Sequence, residues 1–149
     1  MNIFTQLYIW ITGVIIFIGI DQLTKFAASK LGWSIFLNDQ FAFSLPVPIT
    51  VMYAIYVAVL FGMTVYVYKA WNRFEKIQKL AWTFVYAGGL SNIGERIVLG
   101  HVRDFIPVSS GMLNVADFFI IIGLVLMLVS NRYVKTNENA PESKNSEKL

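Results

Sequence analysis

No Asp, Glu, Lys or Arg occurs from Met1 to Ile20, and none from Gln40 to Tyr68. A long uncharged, apolar stretch has few ways to satisfy its backbone amides away from water. In lipid only helices and closed barrels do so. The first stretch continues as a helical span to about Ala28. The second starts near Pro46 or Pro48 and stops before Lys69. A third span runs from near Leu80 to Gly100, a residue type that often terminates helices. A fourth runs from about Val115 to Asn131. At 1.5 Å per residue, about 17 to 21 residues cover roughly 25–32 Å, close to a hydrocarbon core. Charged residues make up 14% of the chain, well below the roughly 25% of soluble domains. The expected fold is therefore an all-α membrane protein with four transmembrane helices. The first span has no basic stretch before it and no small-residue cleavage site ahead of Asp21, so it is read as retained, not as a cleaved signal peptide.

Basic residues set the orientation. The link between spans two and three carries Lys69, Arg73, Lys76 and Lys79, and the tail carries Arg132, Lys135, Lys144 and Lys148. The other links carry only Lys30 and Arg103 outside the helices. The positive-inside rule places both termini in the cytoplasm, N-in and C-in. Residues 1–131 then form one four-helix domain. Residues 132–149, polar and mixed in charge, are expected to be a disordered cytoplasmic tail.

This orientation segregates the polar residues. Asp21 and Lys25 fall near the outer end of span one. Asn92, Glu95 and Arg96 fall in the outer half of span three, and Asp117 opens span four from outside. Asp104 lies in the adjoining outer loop. The inner halves of the spans carry no ionisable group. Charges inside a membrane are costly, and their gathering on one side marks a polar site open to the outer leaflet. Simpler readings stand beside this one. Asp21 and Lys25, spaced i, i+4, can merely neutralise each other. Asn114 and Asp117 read as an N-cap and an acidic N3 residue. Glu95 can pair locally. Gly88 and Gly89 suit close helix contact. His101 reads as a helix-end residue, and Trp33, Trp71 and Trp82 as belt or packing groups.

Capping does not account for Asp104, which sits in "VRDFI" between Gly100 and Pro107. Bringing the chain back to span four sets Asp104 and Asp117 on one rim. Two carboxylates in a partly dry site resist double ionisation, so one retains a proton. One can act as general base on a water while the other polarises a carbonyl. The absence of cysteine excludes a thiol nucleophile, and a single histidine argues against a zinc centre. No metal or other cofactor is expected, and no nucleic-acid partner.

The motif order resembles the lipoprotein signal peptidases (type II signal peptidases), over nearly the whole chain except the tail. "DQLTK" resembles the family's D-x-x-x-K, giving Asp21 and Lys25. "NDQFAFS" resembles N-x-G-x-A-F-S, giving Asn38, Ala42, Phe43 and Ser44. "GGLSNIGERIVLGHVRDFI" resembles G-N-x-x-D-R…G-x-V-x-D-F, giving Asn92, Arg96, Gly100, Val102, Asp104 and Phe105. "NVAD" matches N-x-A-D, giving Asn114, Ala116 and Asp117. The resemblance implies that Asp104 and Asp117 are catalytic. It also implies a small β-like cradle in the outer loops, and cleavage of a diacylglyceryl-modified prolipoprotein before its lipidated cysteine, at the outer face of a bacterial inner membrane. Asn38, Asn92, Arg96 and Asn114 are expected to bind substrate, with Asp21, Lys25 and Glu95 as polar support. The expected partners are the prolipoprotein and membrane lipids, and the protein is expected to act as a monomer.

Several positions depart from the family pattern. Gln40 and Phe41 replace a glycine and a small residue, Ser91 a glycine, and Glu95 an aspartate. Phe118 follows the second aspartate where a small or polar residue is common. These departures motivate a rival reading, a non-catalytic paralogue that binds lipopeptides. A second rival, a small proton-coupled transporter component, calls for ionisable residues on both sides of the midplane.

Overall fold

The structure, a computed structural model, describes residues 2–39, 47–109 and 111–138, with the backbone alone for 132–138. Among these residues the chain forms four long helices and two short antiparallel strand pairs. In order they are α1 (Ile3–Lys30), β1 (Phe36–Asn38), α2 (Ile49–Ala70), α3 (Lys76–Leu99), β2 (Val102–Asp104), β3 (Ile106–Val108), β4 (Gly111–Leu113) and α4 (Val115–Glu138). A 3₁₀ turn, Trp71–Arg73, follows α2.

Local chemistry sets the helix ends. Asn2 caps α1, its Oδ1 accepting from Thr5 N at 2.8 Å. α3 starts at Lys76, ahead of the expected Leu80, because Glu75 and Gln78 form a reciprocal capping box. It stops where expected, at Gly100, whose φ of 80° is left-handed. α4 runs on to Glu138, past the expected end at Asn131. Arg132, Lys135 and Glu138 are good helix formers, and extending an existing helix is easy. Residues 139–149 of the expected tail lie outside the described residues, as do Gln40, Phe41, Ala42, Phe43 and Ser44 of the first outer loop.

α3 is the central helix, packed along α4 and against α1. Two glycines permit the α3–α4 approach. A Cβ on Gly88 would run into the Ala116 carbonyl and the Ile120 side chain. A Cβ on Gly123 would lie 2.7 Å from the Ala81 carbonyl oxygen. The second glycine expected at this contact, Gly89, has open space instead. It lies about 100° round the helix from Gly88, off the seam. Gly88→Ala should push α4 away at Ala116, next to Asp117. Overpacking of this kind costs about 1–3 kcal/mol. A thermal unfolding midpoint equal to that of the native chain would contradict this packing.

α2 is joined to the others through aromatic residues. Trp10 of α1 lies edge-on to Trp71 at 5.5 Å and to Tyr86 of α3 at 5.1 Å between ring centroids. The Tyr86 hydroxyl donates to Thr64 Oγ1 of α2 at 3.0 Å. Val14, Val67 and Ala87 complete this core.

Two helical segments, Ile3–Lys30 and Ile49–Arg73, are long and apolar enough to cross a membrane. Only 6% of each one's most apolar window is buried. A core helix of a soluble protein would be largely covered. Here Phe4, Tyr8, Ile15, Phe61 and Tyr68 point outward.

The strands carry Asp104 to α4. β1 pairs with β2 in the register Phe36↔Asp104, Leu37↔Arg103, Asn38↔Val102. Side chains alternate across a strand, so Asn38 and Asp104 share a face as diagonal neighbours. β3 and β4 form a hairpin in the register Ile106↔Leu113, Pro107↔Met112, Val108↔Gly111. Its open end brings the residues before β3 beside those after β4. Asp104 thus reaches the start of α4.

Candidate active site

Asp104 is 2% exposed, whereas Asp117 is partly open. Three asparagine side chains hold the two carboxylates. Asn38 Nδ2 donates to Asp104 Oδ2 at 3.0 Å. Asn114 Nδ2 donates to the other Asp104 oxygen. Asn92 Nδ2 donates to Asp117 Oδ1 at 2.9 Å. Asn114 joins the two acids. Its Oδ1 accepts from Asp117 N at 3.0 Å, and its own N donates to Asp117 Oδ2 at 3.0 Å. The cap expected of Asn114 and Asp117 is therefore present. The same asparagine also touches Asp104, so capping and a carboxylate site coexist in one side chain.

Behind this pair lies a second cluster, deeper and paired in charge. Lys25 and Asp21 are both fully buried. Lys25 Nζ lies 2.8 Å from Asp21 Oδ2, 2.9 Å from Glu95 Oε2 and 3.0 Å from Asn92 Oδ1. Three partners match its three N–H donors. Asp21 does more than neutralise Lys25. Its Oδ1 accepts from Ala116 N of α4 at 2.8 Å, and its Oδ2 accepts from Ser91 Oγ at 2.7 Å. It thereby caps α4 from α1, at the end where the helix dipole favours a carboxylate. Glu95 has a second cation, Arg103, which also donates to Gln22 Oε1 at 3.1 Å.

The two clusters differ in one respect. Asp21 and Glu95 each have a cation in contact. Among the described residues neither Asp104 nor Asp117 has an ion pair, and neutral amides hold both.

The remaining expected site residues fall as follows. Arg96 is 8% exposed and lies one helical turn beyond Asn92. Its guanidinium sits 5.9 Å over the Tyr56 ring, and its carbonyl accepts from Tyr53 Oη at 2.9 Å. It does not snorkel to the lipid side. Glu95 turns to Lys25 and Arg103, since adjacent helix positions face different directions. Phe118 is 37% exposed, on the surface of α4. Ser91, the departure before Asn92, uses its hydroxyl to hold Asp21 and to accept from Gln22 Nε2 at 2.9 Å. Sequence reasoning passed over Gln22, Ser91 and Arg103 as site members. Arg103 was legible in part, because alternation in "VRD" sets it on the face opposite Asp104.

The described residues contain no group of three His, Cys, Asp or Glu able to hold a metal ion. The arrangement offers two carboxylates linked through one asparagine, Asn114.

The chain is similar to several known proteins. A lipoprotein signal peptidase of Listeria monocytogenes is 26% identical over 131 residues, covering 75% of this chain and 85% of that protein. One of Chromobacterium violaceum is 37% identical over 71 residues, covering 41% of this chain and 44% of that protein. A solved bacterial membrane enzyme superposes with a TM-score of 0.72 at 21% identity, covering 94% of this chain and 93% of that one, and so shares the fold. The family model for signal peptidase (SPase) II matches residues 13–132, a stretch that takes in Asp21, Lys25, Asn92, Asp104, Asn114 and Asp117 together. The chain, a membrane protein, belongs to the signal peptidase (SPase) II family.

Proposed function

We propose that this protein is an intramembrane aspartyl endopeptidase. It removes signal peptides from diacylglyceryl-modified prolipoproteins, cutting before the lipidated cysteine. The observation that carries the reading is the pair Asp104 and Asp117, held by Asn38, Asn92 and Asn114 without a cation. An acid locked against Lys or Arg is a poor proton carrier. An acid held by amides can take up and release a proton.

In the proposed reaction the ionised carboxylate removes a proton from water as the oxygen attacks the scissile carbonyl. The other, protonated, gives its proton to the carbonyl oxygen. Collapse of the tetrahedral intermediate breaks the C–N bond, and the leaving amine takes up a proton from the pair. Asn38, Asn92 and Asn114 are positioning residues in this scheme, because their donors are directed at the carboxylates. Arg96, on the Asn92 face one turn outward, is assigned to the substrate backbone. Asp21, Lys25 and Glu95 support the site from within.

The finer topology is part of the proposal. All four helices cross the membrane, with both termini in the cytoplasm and the carboxylates at the outer face of the bacterial inner membrane. The placement of Lys69, Arg73, Lys76 and Lys79 at the end opposite Asp104 supports it. The substrate enters sideways, acyl chains in lipid, and meets one chain acting as a monomer.

The test is incubation of the purified chain with a diacylglyceryl-modified prolipoprotein. The expected products are the free signal peptide and a mature protein beginning at the lipidated cysteine, with or without a chelator. Binding of the lipopeptide without any cleavage would overturn the reading.

A further inference from the structure

Trp10 and Trp71 meet at the end of the bundle opposite the carboxylates. Among the described residues neither indole N–H has an acceptor, although both nitrogens are buried. Trp71 is 3% exposed. Buried donors are almost always bonded, so an unmatched one calls for an explanation. Both rings line a groove of about 480 Å³ between α1 and the start of α3. Lys76 and Lys79 line it too, with Ile9 and Phe17 as apolar wall and no acidic side chain. Lys79 Nζ is 2.9 Å from Gln6 Oε1 and 4.9 Å over the Trp71 ring, so it is already turned into the groove. Lys76 is exposed at its mouth.

The groove therefore presents two ammonium groups, one of them already bonded to Gln6 Oε1, beside two indole N–H donors without an acceptor, and no acidic side chain lines it. The missing partner is an anion with several oxygens. Its apolar wall, and the outward-facing apolar surface of α1, suit an attached hydrocarbon chain. Thirteen positions separate Lys79 from Asn92 along α3, about 20 Å of helical rise, so this is not the carboxylate site.

We propose that the groove binds one anionic glycerophospholipid. Its phosphate accepts from Lys76, Lys79 and the buried indole N–H groups, and its acyl chains run along Ile9 and Phe17. The assignment rests on the proposed crossing of the bilayer by α1 and α3. It does not rest on the carboxylate pair.

The experiment is native mass spectrometry of the full chain released from bilayers of phosphatidylglycerol or phosphatidylcholine, with cleavage measured in parallel. One phosphatidylglycerol should be retained in preference to phosphatidylcholine. Lys76→Gln and Lys79→Gln should each weaken that preference about fivefold, the usual share of one lysine at a membrane surface. Trp71→Phe, which keeps the ring and removes the N–H, should weaken it as well. All three variants should cleave like the native chain in phosphatidylcholine. Lys76 is exposed, so its replacement remains informative if Lys79→Gln fails to fold. Equal retention of the two lipids by a native chain that cleaves would overturn this inference and leave the peptidase reading intact. Selective retention without cleavage would do the reverse. Displacement of the lipid by glycerol phosphate alone would overturn it too, as a site for free phosphate.

Discussion

Replacing either Asp104 or Asp117 by Asn should lower kcat/KM for prolipoprotein cleavage by about a thousandfold or more, and replacing both should be little worse. General acid and base groups contribute on this scale, and residues that act as one unit are strongly non-additive. The structure explains why folding should survive. Asp117 accepts from Asn92 Nδ2 and Asn114 N through different oxygens. An Asn there keeps one acceptor and much of the helix cap. Asp104 likewise accepts from Asn38 and Asn114 through different oxygens. An Asn there meets one of them with an amide oxygen. Each single variant should lose roughly one hydrogen bond, about 1 kcal/mol, far less than its loss of rate. The native pH profile should be bell-shaped, both limbs belonging to the pair. Wild-type-like cleavage by either single variant would sink the assignment.

Asp104 and Asp117 stood out in the sequence because a carboxylate at the edge of an apolar run is conspicuous. The strands between Asp104 and Asp117 came only as the β-like cradle that the family resemblance implies, whereas the return of the chain followed from a helix stop at Gly100 and a new start at Asn114. Those two signals lie within a few residues of where they act. Long-range partners left weaker traces. Spacing of i, i+4 announced the Asp21–Lys25 pair, but the bond from Ala116 N to Asp21 joins residues 95 positions apart. No local pattern encodes it. Local pairing was one reading of Glu95, whereas its partners come from α1 and from the strand after α3. Gly123 shows the same limit. A glycine in an apolar span has several uses, and only the facing Ala81 and Val85 show that this one lets α3 approach.

Lys25→Met should be the most destabilising single change in the bundle, by about 3–5 kcal/mol, because removing one member of a buried pair strands the other charge. Two carboxylates are affected, since Asp21 is fully buried and Glu95 is 5% exposed. They do not lose equally. Asp21 keeps Ser91 Oγ and Ala116 N but no cation, whereas Glu95 keeps Arg103. Neutralising Asp21 should therefore restore more stability than neutralising Glu95. The expected order of unfolding midpoints is the native chain, then Lys25→Met with Asp21→Asn, then Lys25→Met with Glu95→Gln, then Lys25→Met alone. Activity should not follow this order. Lys25 also anchors Asn92 Oδ1, and Asn92 orients Asp117. Every variant lacking Lys25 should thus cleave slowly even where its fold has recovered. If a restored midpoint brought restored cleavage, Lys25 would be a scaffold residue only, and the chain from Lys25 through Asn92 to Asp117 would have no part in the reaction.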